Sequence, residues 1–167
     1  MELLRVAVSS CLLGIDSTYK QDSNADFSHQ FLKLQEFSVS RGKKIVVIPI
    51  CPESLCFGVP RTPIELENGN AAAVLSGRGR VFNMVGSDVT APFLRTCIRL
   101  VKVLEADVAV LKDGSPSCGV SEVYDGTFSG KKIRGRGLFA ELLVKKGVKI
   151  FSERDSWFGW IKEWIDR

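Results

Sequence analysis

The sequence predicts an α/β fold: a single Rossmann-like domain over residues 1–167, with a mainly parallel sheet flanked by helices. Three observations predict it. Short, largely apolar runs recur at Leu4–Ser9, Ile45–Ile50, Val108–Leu111 and Val148–Phe151, and the continuous apolar character of Ile45–Ile50 suits a sheet covered on both faces. Segments of helical periodicity fall between those runs, and such alternation favours parallel strands joined by right-handed crossovers. The chain has 167 residues, 45% hydrophobic and 25% charged, which suits one ordinary soluble core.

The elements follow in order. Leu4–Ser9 is short, rich in valine and followed by Gly14, so it reads as a buried strand and a loop. From Phe27 to about Arg41, the residues Phe27, Phe31, Leu34, Phe37 and Val39 recur near helical spacing, and Gly42 supplies the stop. Ile45–Ile50 is the second strand, with Pro49 required near its end because proline cannot donate to a ladder. Glycines at 69, 77, 79 and 86 break up Ile64 to Val85 and leave room for a short hairpin. Thr90 is placed to cap a helix from Ala91 to about Glu105, with Pro92 in its first turn and Phe93, Cys97, Leu100, Val101 and Leu104 on its apolar face. Val108–Leu111 is the third strand. Gly137 to Lys146 is an amphipathic helix ended by Gly147, and Val148–Phe151 is the fourth strand. Asp155 or Ser156 can cap a last helix whose Trp157, Trp160 and Trp164 share one face, read as core packing.

Bulk properties narrow the functions. Net charge is 23 − 19 = +4, too weak for a stable nucleic-acid partner. The N-terminus enters a strand directly, without a signal peptide, and no run approaches about 18 apolar residues. A cytoplasmic protein without a membrane role is the expectation. Five cysteines in a reducing compartment are not a disulfide framework. No G-x-G-x-x-G follows the first strand, so dinucleotide binding is not supported.

Cys11, Cys51 and Cys118 each sit just past an apolar run, in loops rich in Gly, Pro and Ser. If those runs are parallel strands, the three thiols gather at one sheet edge, where open α/β sheets place their sites. Three thiolates without a fourth point to a metal or iron–sulfur centre with an open position. Each alone reads equally as a small buried hydrophobe. Glu53 would project into the same crevice, or be an ordinary loop carboxylate, and Lys112 could bring a positive charge to that edge. Composition alone gives Ser115 no role beyond backbone bonding. Cys97 lies on a helix's buried face and reads as packing. Cys56, five residues after Cys51, could pack, lie near the site or be a fourth ligand. A single histidine, His29, excludes a histidine-rich metal site. Asp125-Gly126 fits a hairpin tip that could also line the pocket.

Together these phrases resemble the TudS-like thiouracil desulfidase family. The matching pieces are Val6-Ala7-Val8-Ser9-Ser10-Cys11-Leu12-Leu13-Gly14, Pro49-Ile50-Cys51-Pro52-Glu53 and Pro60-Arg61-Thr62-Pro63. Asp88-Val89-Thr90, Leu111-Lys112, Ser115-Pro116-Ser117-Cys118-Gly119, Tyr124 to Gly130 and Phe151-Ser152-Glu153 follow in the family's order. Thr18-Tyr19-Lys20-Gln21 stands where the family has Arg-Tyr-Asp-Gly, and Cys56-Phe57-Gly58 where it has paired glycines. The resemblance implies a [4Fe–4S] cluster held by Cys11, Cys51 and Cys118, with Glu53 and Ser115 in catalysis. It implies removal of sulfur from a small thiolated pyrimidine, base or nucleotide, to give uracil and hydrosulfide, by a chain expected to be monomeric. Two other readings keep parts of this pattern. One is a non-catalytic iron–sulfur sensor or electron carrier. The other is a metal-free thiol enzyme, for which no histidine partner is evident.

Overall fold

A computed structural model describes residues 1–167. The first strand, β1 (Glu2–Ser9), runs into a 3-10 turn at Ser10–Leu12 and a loop. Helix α1 (Ser28–Ser40) starts where the Asp26 carboxylate accepts the Ser28 amide and ends just before Gly42, at φ +69°. Next come β2 (Lys43–Ile50) and a short helix α2 (Pro52–Phe57). The ambiguous segment folds as an antiparallel hairpin of β3 (Ile64–Leu66) and β4 (Val81–Asn83), with α3 (Ala71–Leu75) inserted between its strands. Helix α4 (Thr90–Val103) and β5 (Val108–Leu111) follow. A second hairpin, β6 (Glu122–Tyr124) and β7 (Lys132–Arg134), precedes α5 (Leu138–Lys145), β8 (Lys149–Ser152) and α6 (Trp157–Asp166).

The central sheet has the order β2-β1-β5-β8, and every pairing in it is parallel. Side chains alternate across it. Leu4, Val6, Val8, Val108 and Val110 face one core, with Phe31 and Leu34 of α1 and Trp157, Ile161 and Ile165 of α6. Ala7, Ala109 and Leu111 face the other, with Phe93, Cys97 and Val101 of α4 and Leu138, Phe139 and Leu143 of α5. The connection leaving β1 therefore packs on one face and that leaving β5 on the opposite face. Adjacent strands whose connections diverge define a topological switch point, and the crevice beyond their carboxyl ends is the ligand position of this architecture.

Two details depart from the sequence reading, and a third decides between alternatives that it left open. β2 is an edge strand, so only Ile45 and Ile50 are fully buried and Val46, Val47 and Ile48 are half-covered. Pro49 sits next to its end, as expected. The helix after Asp88 begins at Thr90 itself. The Asp88 carboxylate accepts the Thr90 amide and hydroxyl, while Thr90 Oγ1 accepts the Val81 amide and ties α4 to the first hairpin. Ser156, not Asp155, occupies the cap position of α6, and Asp155 instead accepts the Ser152 amide. Trp157 is buried, and Trp160 and Trp164 pack partly against the same core.

Candidate active site

A cavity of about 490 Å³ opens beyond the carboxyl ends of β1, β2 and β5, and Cys11, Cys51 and Cys118 all line it. Each thiol is placed by a different device. Cys11 rides the 3-10 turn that ends β1. Cys51 caps α2: its Sγ accepts the Ser54 amide at 3.4 Å, and Pro52 takes the first helical position, where no amide is needed. The Cys51 thiol donates to the Ser17 carbonyl at 3.6 Å. Cys118 is fixed by its backbone, which donates to Ser115 Oγ at 3.0 Å. Gly119 and Gly137 allow this loop to close. A Cβ on Gly137 would lie 2.4 Å from the Ser117 carbonyl carbon, and one on Gly119 would lie 2.5 Å from the Glu122 carbonyl oxygen.

The electrostatics of the thiols follow from this packing. Burial pushes Cys118 up to about 12, against hydrogen bonds from Ser9 and Ser117, and Cys51 and Cys11 push it further the same way. Burial likewise pushes Cys11 up to about 11. Asn24 and Lys112 oppose that rise, while Cys51 and Glu53 add to it. Both Cys11 and Cys118 thus feel a neighbouring cysteine across one cavity.

Beside them is a carboxylate–hydroxyl network. Glu53, in the first turn of α2, accepts from Ser117 Oγ at 2.8 Å and from Ser115 Oγ at 3.3 Å. Arg61 lies nearly buried below it, 3.9 Å from the Glu53 carboxylate and 4.0 Å from Cys51 Sγ. The Arg61 guanidinium donates to the Ser17 and Gly58 carbonyls at 2.9 and 3.1 Å. The rest of the wall mixes Tyr19, Met84, Tyr124 and Phe128 with polar and charged side chains, among them Lys20, Asp22, Asn24 and Lys132. The second hairpin is held over the cavity by buried Glu65, whose carboxylate accepts the Phe128 amide at 3.0 Å.

A third group supports the loop between β5 and Cys118. Asp113 is 2% exposed, and its carboxylate accepts the amides of Val120, Ser121 and Glu122, the Ser121 hydroxyl and an Arg154 N–H. Burial opposes its charge, yet these donors prevail and hold the carboxyl well below its ordinary range. Glu153 completes the support by accepting the Lys112 ammonium and the Asp113 amide, both at 2.7 Å.

Comparison with known proteins shows the family. The 2-thiouracil desulfurase family model matches residues 6–155. The chain belongs to that family. It is 38% identical over 154 residues to the Bacillus subtilis (strain 168) protein YbbK, described as uncharacterized, covering 90% of this chain and 96% of that one. It is also similar to a solved structure of the [4Fe-4S]-dependent thiouracil desulfidase TudS, with a TM-score of 0.69 and 32% identity, covering 90% of this chain and 91% of that one.

The donor set fits the cluster that the family implies. No three His, Cys, Asp or Glu side chains close on one point as a single-ion site requires. Three thiols spaced around a cavity suit a polynuclear iron–sulfur centre, whose irons are normally held by thiolates. Cys56 is absent from the cavity wall and packs, half-buried, against the core that holds Cys97. His29 is exposed on α1. Lys112 lines the cavity but is not a freely solvated lysine, because Glu153 clamps it. Lys132 also reaches the wall. Asp125 does not line the cavity, and its carboxylate accepts the Thr127 amide and hydroxyl. Its neighbours Tyr124 and Phe128 take that place. The sequence reading missed Ser117 and Asp113. Each had a faint signal, a second serine two residues after Ser115 and an Asp-Gly turn directly after a strand.

Proposed function

We propose that this chain is a [4Fe–4S]-dependent thiouracil desulfidase that hydrolyses a C–S bond without net redox change. The observation that carries the reading is the meeting of Cys11, Cys51 and Cys118 around one cavity beside the Glu53–serine network. Family membership and the likeness to TudS support it. Cys11, Cys51 and Cys118 would hold the cluster. When bound, the cluster supplies a soft Lewis-acidic iron, without a protein ligand, for the substrate's sulfur. The position of Cys56 away from the wall agrees with such an open corner.

The chain's own groups supply the rest. Tyr19, Tyr124 and Phe128 offer flat apolar surface to a pyrimidine ring and exclude bulk water around it. Glu53 accepts a proton from the water that attacks the ring carbon, and Ser115 donates a proton toward the departing sulfur. A C–O bond forms and the C–S bond breaks, giving uracil and hydrosulfide. In this reading residues 1–167 act as one monomeric, cytoplasmic domain on a small thiolated base or nucleotide, with no stable nucleic-acid partner. No helix is long and apolar enough to cross a membrane.

The test is anaerobic purification, iron and sulfide analysis, and incubation with 4-thiouracil and its nucleotide side by side. The expected result is about four irons per chain and loss of the thione absorbance. Glu53→Ala should keep the cluster's visible absorbance and lose turnover by roughly 100-fold or more. A chain that binds the cluster but leaves both thiones intact is a sensor or electron carrier, and the proposal fails.

A further inference from the structure

Ser117 is 1% exposed and lines the cavity behind the half-buried Ser115. Its Oγ lies 2.8 Å from Glu53 Oε2, 3.0 Å from Ser115 Oγ and 3.6 Å from Cys118 Sγ. The direct path from Ser115 to Glu53 is 3.3 Å, longer than ordinary O–H···O bonds. Ser115 Oγ already accepts the Ser117 and Cys118 amides at 3.2 and 3.0 Å. Its one proton is therefore free to point outward or to Ser117. Two short hops through Ser117 replace one long one. The backbone fixes the bridge: the Ser117 carbonyl accepts the Ala140 amide at 3.0 Å, and Gly137 lies against it.

We propose that Ser117 is the positioning residue that couples Glu53 to Ser115 and carries a proton between them. The proposal rests on the desulfidase reading above. Glu53 takes one proton from the attacking water and passes it to Ser117 Oγ. The Ser117 hydroxyl, released from Glu53, turns to Ser115 Oγ in place of the long 3.2 Å bond from its own amide and passes its proton there, and Ser115 passes its own to the departing sulfur. Each hydroxyl ends with one proton and Glu53 is again a carboxylate. The water's second proton goes to solvent as the carbonyl forms, so the products are the oxo-pyrimidine, hydrosulfide and one proton. No electron is exchanged.

The test compares Ser117→Ala, Ser115→Ala and the double variant as holoenzymes on 4-thiouracil. The expected result for Ser117→Ala is a kcat at least about tenfold lower, with KM and the cluster's visible absorbance unchanged. The double variant should be no slower than the slower single variant, because a broken chain cannot be broken twice. A kcat for Ser117→Ala within roughly twofold of wild type, or losses that multiply in the double variant, overturns the proposal. A second arm needs no turnover. Thermal denaturation of the purified chain with Ser117→Ala, Glu53→Gln and both should show single Tm losses that sum to more than the double loss. Simple additivity there also overturns it. Because this arm reads the Ser117–Glu53 bond itself, it stands even if the wild-type chain leaves thiouracil untouched, and the two failures are told apart.

Discussion

Asp113 shows at the scale of one residue how a buried charge can shape a site without entering it. Its carboxylate gathers the amides of Val120, Ser121 and Glu122, so the chain must fold back on itself just after Cys118. Arg154, with a side chain 58% exposed, supplies the countercharge from the surface. Replacement by Asn keeps the shape but turns an NH2 toward amide donors and leaves Arg154 only Glu122 as an acidic partner. Asp113→Asn should cost about 3 kcal/mol of unfolding free energy in a urea titration. The pH dependence has a definite sign. The folded carboxyl titrates below its ordinary value, so its stabilisation is complete above about pH 4 and fades as pH falls through the lower folded value. Wild type should lose stability across that acid window, and Asp113→Asn should lack that part of the slope. The three cysteines were legible in the sequence because each ends an apolar run. Asp113 was not, because its partners lie seven to nine residues ahead and are backbone amides. An amide has no sequence signature.

Among the elements, those with a strong period were readable and those made by tertiary contact were not. Helices α1, α4, α5 and α6 and the four sheet strands fall within a few residues of the sequence reading, since each carries its own apolar face. Helix α2 spans only Pro52–Phe57, too short for a period to register, and its start depends on the Cys51 cap. The second hairpin owes its place to contacts far along the chain: Gly126, at φ +91°, packs so close to β3 that a Cβ would lie 2.6 Å from the Leu66 carbonyl oxygen. Two glycines separate close approach from mere flexibility. Gly137→Ala must push against the backbone of Ser117 and Cys118. It should cost about 3 kcal/mol and lower the iron content of the purified protein. Gly159 lies inside α6 with nothing within 4 Å of an added Cβ and no positive φ. Gly159→Ala should raise stability by about 0.5–1 kcal/mol and leave iron content unchanged. Denaturation and iron analysis of the two variants check both statements.

Across the whole molecule, the parallel sheet divides stability from chemistry. One core joins β1 and β5 to α1 and α6. The other joins the same strands to α4 and α5 and includes Cys118. The cavity opens at the strands' carboxyl ends, and none of the residues of α6 lines it. Trp157 anchors α6 by stacking on Phe31, with ring centroids 4.8 Å apart, and by a tilted contact with Phe27 at 5.7 Å. Trp157→Ala removes a 5%-exposed indole and leaves a cavity between α1 and α6, at a cost of about 3–5 kcal/mol. The site loops have supports outside this core: Glu153 and Asp113 for the Cys118 loop, the Ser54 amide for Cys51, and the 3-10 turn ending β1 for Cys11, which also touches the edge of this core. Well below its lowered melting temperature, the Trp157→Ala chain should therefore bind iron and remove sulfur at the wild-type rate per folded molecule. The check is a melt followed by thione turnover normalised to iron content. A variant that melts early and also turns over slowly while fully folded would show that the α1–α6 core positions the thiols, against the separation described here.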